Sequence, residues 1–337
     1  GNSPEGIVAI PSGGLIATAN GFEAGAGGGA GSHVMIYEWA EGPAAYPMIT
    51  AAGAQTRFGW GALSGLAADA ERPGILHAIS NSVYANQAGI YTIDATQTPA
   101  RITAKTVVTR NGFAAQKLDL EGIALIPGGG FWRASEGRTD RLVPHALYRV
   151  DARGEIREEI ALPAALSATE IRFGFEGVAL HGDTLWLAVQ REWQDDPKGM
   201  VKLVAYNAKD KTWGAVHYPL DTPAAGWMGL SEITIAGDWA YIVERDNQIA
   251  AAAATKRLYR VPVAQLVPAA LGGALPVVTK ELVRDFLPDL AALNGYAQDK
   301  IEGFAIDATG TGWVVTDNDG VQDASGETLF WSIGRMY

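Results

Sequence analysis

No cysteine occurs among the 337 residues, which excludes disulfides, thiolate zinc sites and a cysteine nucleophile. That absence fits a reducing and an oxidising compartment equally. Basic residues are scarce: 26 Lys and Arg stand against 37 Asp and Glu, leaving a formal charge of -11. Such a field repels a polyphosphate backbone and argues against a nucleic-acid partner, while leaving small anions open to local recognition. No apolar run approaches the roughly 18 residues that a membrane span needs, and no basic, apolar and small-residue leader opens the chain. It starts at Gly1-Asn2-Ser3-Pro4, directly before a strand-like run, as expected of a processed product. Charged heptads and a collagen period are missing too. What is present, 48% hydrophobic residues with 41 Gly and 10 Trp, suits a large packed core.

Self-similarity organises that content. Five segments read Glu, usually Gly, then alternating apolar residues: they start at Glu5, Glu121, Glu176, Glu232 and Glu302. The gap between Glu5 and Glu121 leaves room for one more copy, and Ser64-Gly65-Leu66-Ala67 supplies it with Ser in the Glu slot. After each first strand comes a Gly or Asp turn, then a Trp- or Tyr-bearing strand such as Leu185-Trp186-Leu187-Ala188-Val189; third and fourth strands follow, as at 146–150 and 156–161. Four short strands per repeat and six repeats predict an all-β, six-bladed β-propeller of antiparallel blades, one domain over 1–337. The last copy stops after three strands at Tyr337; either upstream residues complete it or that blade has three strands. Only 282–293, interrupted by Pro288, and 250–254 are expected to form short helices.

In a propeller the first strands line the central channel, and the start of each lies beside the end of its antiparallel second strand. Those second-strand ends are polar: Asn20, Asn81, Glu136-Gly137-Arg138, Gln190-Arg191-Glu192, Glu244-Arg245-Asp246-Asn247 and Asp317-Asn318-Asp319. Both rows are therefore expected at one channel mouth. Two readings of the repeated Glu stand open. Repeat signatures commonly specify stacking, here carboxylates accepting N–H bonds from a neighbouring blade; alternatively a ring of carboxylates binds a hard cation such as calcium. Chemistry is sought where the symmetry breaks, at Arg138, Arg191, Arg245, Glu192, Trp193, Asp319 and Ser64. Arginine grips phosphate or carboxylate through two points, with rim salt bridges as the plain alternative. Asp317-Asn318-Asp319-Gly320 is dense in oxygen ligands but departs from EF-hand spacing, and an Asn/Asp-Gly turn explains it equally well.

There is no Walker loop, Gly-x-Ser-x-Gly elbow or His-Glu-x-x-His helix. The five His fall in strand or turn patterns rather than at the predicted mouth, which disfavours a His-dependent triad. Hydrolysis would then use metal and carboxylates.

Glu121-Gly122-Ile123-Ala124 with Phe131-Trp132-Arg133-Ala134-Ser135-Glu136-Gly137-Arg138, Phe175-Glu176-Gly177-Val178, and Ile301-Glu302-Gly303-Phe304 with Val315-Thr316-Asp317-Asn318-Asp319-Gly320 together resemble the bacterial phytase-like group labelled esterase-like activity of phytase. The resemblance spans nearly the whole chain. It implies an exported, periplasmic or secreted protein that hydrolyses a phosphomonoester or phosphodiester on a propeller similar to calcium-dependent phytases. It carries Glu121, Glu136, Glu176, Glu232, Glu302 and Asp317 as repeated acidic positions, with Ser64 interrupting the ring. The expectation assigns Glu136, Glu244 and Asp317 to catalysis, Arg138, Arg191 and Arg245 to a small anionic substrate, and Glu121, Glu176, Glu232, Glu302 and Asp319 to calcium. A non-catalytic propeller binding a partner or sugar on a Trp-rich rim with Trp193 and Trp227 is one alternative. A lactonase-like metal hydrolase using Glu5, Asn20, Asn81 and Glu244 is the other.

Overall fold

The computed structural model describes residues 4–20, 32–39, 41–42, 46–80, 87–170, 172–292, 297, 300–318 and 327–337. Alternating apolar residues separated by Gly and Asp turns fold into successive antiparallel sheets, each in chain order. Three have four strands: Leu120–Leu125, Phe131–Ser135, Ala146–Val150 and Ile156–Ala161; Phe175–His181, Thr184–Val189, Met200–Asn207 and Thr212–Pro219; Met228–Ala236, Trp239–Asp246, Lys256–Pro262 and Glu281–Asp285. A further sheet of Leu63–Ala68, Ile75–Ser80, Gly89–Asp94 and Ala100–Val107 gains Ile49–Thr50 as a parallel outer strand. The last consists of Ile301–Ile306, Thr311–Thr316 and Phe330–Arg335. Of the expected helices, Leu287–Ala291 forms, preceded by strand, and Ala250–Ala252 is a single 3-10 turn.

The first strands of these five sheets follow one another around a closed ring, with Ile301–Ile306 against Leu63–Ala68 at closure. A buried apolar cluster fills each of the five interfaces; at closure Leu63, Leu66 and Leu76 meet Ala305, Val315 and Phe330. The fold is thus of β-propeller type. The count of six is corrected: the amino-terminal sheet, Pro4–Ile10, Leu15–Asn20 and His33–Glu38, contributes none of its described side chains to these clusters. Its Ile7, Val8, Val34 and Ile36 are exposed. The physical reason is the tight closure itself. A Cβ on Gly303 would lie 2.7 Å from the Ser64 carbonyl oxygen, leaving no width for another strand.

The glycine of the repeated signature explains how neighbouring first strands come so close. A Cβ on Gly122 would lie 2.8 Å from the Gly177 backbone, and one on Gly65 2.5 Å from the Glu121 carbonyl oxygen. Only a residue without a side chain permits that approach.

Candidate metal centre

Each ring strand is bulged at the signature. Pairing shifts between Leu120 and Gly122, Phe175 and Gly177, Leu230 and Glu232, and Ile301 and Gly303. A bulge leaves one residue out of the ladder and re-aims its side chain. In register, Glu121, Glu176 and Glu302 occupy this position together with Ser231, while Glu232 falls where the others have Gly. The row of repeated acids is therefore Glu121, Glu176, Glu302, with Ser64 and Ser231 completing it.

The second strands obey the same register. Ser135, Val189, Glu244 and Thr316 are equivalent, and the next residues, Glu136, Gln190, Arg245 and Asp317, form the facing row. The two rows touch. Gln190 Nε2 donates to Glu176 Oε1, Arg245 Nε donates to Ser231 Oγ at 2.9 Å, and Arg245 Nη2 reaches Glu302 Oε1 at 2.5 Å. Asp317 is buried, and its N–H donates to the Lys300 carbonyl at 3.1 Å.

Glu244 stands one residue off this row, and one step along a strand reverses the face. Its carboxylate instead accepts from Tyr218 Oη at 2.8 Å, Lys280 Nζ at 2.6 Å and the Asp221 N–H at 2.5 Å, apart from the other expected catalytic acids. Glu232 fits the neighbouring-blade form of the stacking reading only in part: the Phe304 N–H that faces it is in the adjacent sheet, but it also accepts backbone N–H bonds from Leu66 at 3.0 Å, in a non-adjacent sheet, and from Ile233 of its own strand at 2.9 Å. Asp319 and Asn81 lie outside the described residues, as does the Glu5 side chain. Asn318 is described; its Oδ1 accepts the Ala62 N–H at 2.7 Å.

Three carboxylates converge. Oxygen atoms of Asp119, Glu121 and Glu136 lie within 4.8 Å of one another. Asp119 precedes the first strand and Glu136 follows the second, and the Glu136 N–H donates to the Asp119 carbonyl at 2.8 Å, locking the two ends together. Asp119 was missed from sequence because it stands outside the Glu-Gly signature. Its equivalents Gly174, Gly229 and Lys300 are not acidic, so comparing the copies two residues upstream of each bulge would have found it. Burial, then the neighbouring Asp119 and Glu136 charges, hold the Glu121 carboxyl well above the usual carboxylate range. Burial and Asp119 raise Glu136 to about 7, and burial raises Asp119. Glu176 is likewise raised, by burial and the charge of Glu302. Three close carboxylates in low dielectric favour either shared protons or a cation, and an all-oxygen donor set matches a hard ion such as calcium.

The cations divide. Arg245 is engaged by Glu302 and Ser231; Arg138 is paired with Asp140 at 3.3 Å. Arg191 instead has its guanidinium carbon 4.6 Å from the Phe173 ring centre and 4.7 Å from that of Trp227. Arg172, which no repeat signature marked, lies 4.8 Å from the Phe173 centre, and its charge acts on Asp119 and Glu136. Trp193 is only 2% exposed, packed edge-on against His145, so it offers no rim surface; Trp227 is half-buried.

Comparison with known proteins returns a family model described as phytase-like, esterase-like activity of phytase, over residues 59–320. No curated protein matches. Among solved structures the chain is similar to a luciferin-regenerating enzyme at 11% identity, over 99% of this chain and 92% of that one, with TM-score 0.42. A Thermus thermophilus protein described as a putative oxidoreductase (glucose dehydrogenase) matches at 11% identity over 98% and 97%, TM-score 0.38. The major Malassezia sympodialis allergen Mala s 1 matches at 8% identity over 77% and 89%, TM-score 0.43.

Proposed function

This chain belongs to the phytase-like family with esterase-like activity of phytase, and from that membership we propose that it is a calcium-dependent phosphoester hydrolase working at the acid-lined mouth of the ring. The observation that carries the reading is the convergence of Asp119, Glu121 and Glu136. These side chains would hold the cation, which when bound supplies Lewis-acid polarisation of a phosphoryl oxygen. The protein's own contribution is positional. Hydrogen bonding of the Glu136 N–H to the Asp119 carbonyl fixes the spacing of the outer two acids, and the burial and mutual repulsion that raise these carboxyls without an ion are what a bound cation would relieve. Arg245, tied to Glu302, offsets part of the surrounding negative charge. The same reading takes residues 1–337 as one domain, acting in the periplasm or outside the cell.

Calcium content of purified protein, measured with hydrolysis of p-nitrophenyl phosphate and its bis-ester before and after chelation, tests this reading. Stoichiometric calcium and chelator-sensitive turnover are expected. Finding neither ion nor turnover would overturn it.

A further inference from the structure

Among the described residues, the guanidinium groups of Arg172 and Arg191 have no hydrogen-bond or ion-pair partner, unlike Arg138 and Arg245. Both are nonetheless held. Their guanidinium carbons lie within 4.8 Å of one ring centre, that of Phe173, and Arg191 lies against both Phe173 and Trp227, at 4.6 and 4.7 Å from their centres. Stacking covers the face of a guanidinium and leaves its in-plane N–H donors available. The platform is anchored to the acidic site. Gly174 packs on the Glu136 carbonyl so closely that a Cβ there would lie 2.3 Å from it, and Arg191 follows Gln190, whose side chain is bonded to Glu176. Phe173 itself adopts a φ of 60°, a costly conformation for a bulky residue. Trp227 is fixed by its N–H donating to Asn247 Oδ1 at 2.9 Å.

We propose that Arg172 and Arg191 form a two-guanidinium clamp for the terminal phosphoryl group of a phosphomonoester, with Phe173 as their common platform. The inference rests on the function proposed above and narrows it. A terminal phosphoryl group has three non-bridging oxygens, enough to meet two guanidinium groups and still present one oxygen to the carboxylate-held cation. A diester has only two, and a carboxylate has two in one plane. Monoesters are therefore preferred over diesters at this mouth.

Titration calorimetry with methyl phosphate and dimethyl phosphate, each with and without calcium, and with calcium alone, tests the clamp. Methyl phosphate should bind at least about tenfold more tightly than dimethyl phosphate, and Arg172→Met or Arg191→Met should weaken it by about tenfold, the scale of one lost charge-assisted pair. Calcium affinity should be unchanged or raised in both variants. Arg191→Lys, which keeps the charge and the fold but loses the planar fork, should also weaken methyl phosphate. Equal binding of the two esters, or arginine variants that bind methyl phosphate as the parent does, would overturn the clamp even if calcium binds. Arginine-dependent methyl phosphate binding without any calcium affinity would uphold the clamp and overturn the metal reading instead.

Discussion

The Glu232 carboxylate accepts a hydrogen bond from the Leu66 N–H at 3.0 Å, although their strands are not neighbours in the ring. It also accepts from Ile233, so one side chain ties two non-adjacent ring strands where the other copies place only Gly. Removing it would leave buried N–H groups without an acceptor, each costing about 1–3 kcal/mol. Glu232→Ala is therefore expected to lower stability by about 3 kcal/mol or more in urea unfolding, and Glu232→Gln, which keeps one acceptor, by less. Unchanged stability in the Ala variant would show that the tie contributes nothing.

Calcium binding separates the register assignments. Asp119→Asn and Glu121→Gln each remove a charged ligand from the converging group and should weaken calcium by at least about tenfold, equal to 1.4 kcal/mol. Glu244→Gln, on the opposite strand face beside Lys280, should leave calcium affinity unchanged while costing stability. Equilibrium dialysis on folded variants reads this directly; a calcium defect in the Glu244 variant alone would refute the register argument.

The pH dependence follows from the same carboxyls. A carboxyl whose folded pKa is raised binds its proton more tightly in the folded state, so stability is highest below the unfolded pKa and is lost as pH rises toward the folded value. For Glu136 the window runs from its ordinary 4.5 to about 7, and Glu121, Glu176 and Glu232 shift in the same direction by burial. Metal-free protein should lose melting temperature as pH is raised through this range, with saturating calcium flattening the loss. A calcium-independent profile would contradict the assignment of the converging acids.

Much of this architecture is legible in the sequence because the signature marks a real constraint: its Gly is where first strands approach, and its Glu is the bulge residue. Two failures share a cause. At Ser231-Glu232 the letters match the signature while the register does not, since Glu replaces the Gly and Ser occupies the bulge. At Glu5-Gly6 the signature is present, yet its sheet lies outside the ring, because ring closure depends on the contact between Gly303 and Ser64, far apart in the chain. Asp119 stands two residues before the signature Glu and outside the repeated letters, and the role of Arg172 comes from contacts with Phe173 and the charges of Asp119 and Glu136, which no repeat marks.

The close approach at Gly122 supports a direct test. An added methyl would meet Gly177 and Val178 backbone atoms at 2.8 Å, and backbone cannot yield as a flexible side chain would. Gly122→Ala is expected to cost about 1–3 kcal/mol, the range for overpacking, whereas Gly128→Ala, where nothing lies within 4 Å but φ is 86°, tests backbone strain alone. Thermal melts that rank Gly128→Ala as the more damaging would show that strand proximity is not what the signature Gly secures.

Arg133 gives a prediction of the opposite sign. In register it occupies the slot held by Leu187, Ile242 and Val314 in other sheets, and its side chain is fully buried. Among the described residues none of its three guanidinium nitrogens has a hydrogen-bond partner. Burial lowers its pKa to about 9, with the Glu121 charge acting the other way. An unsatisfied buried cation is destabilising, and well-packed apolar replacements of buried charges are often neutral or stabilising by about 1–4 kcal/mol. Arg133→Leu, restoring the residue type of the equivalent strands, should therefore raise the melting temperature of the metal-free protein. If the variant instead melts lower, the guanidinium compensates Glu121 strongly enough to outweigh its own desolvation, and the arginine belongs to the electrostatics of the acidic site.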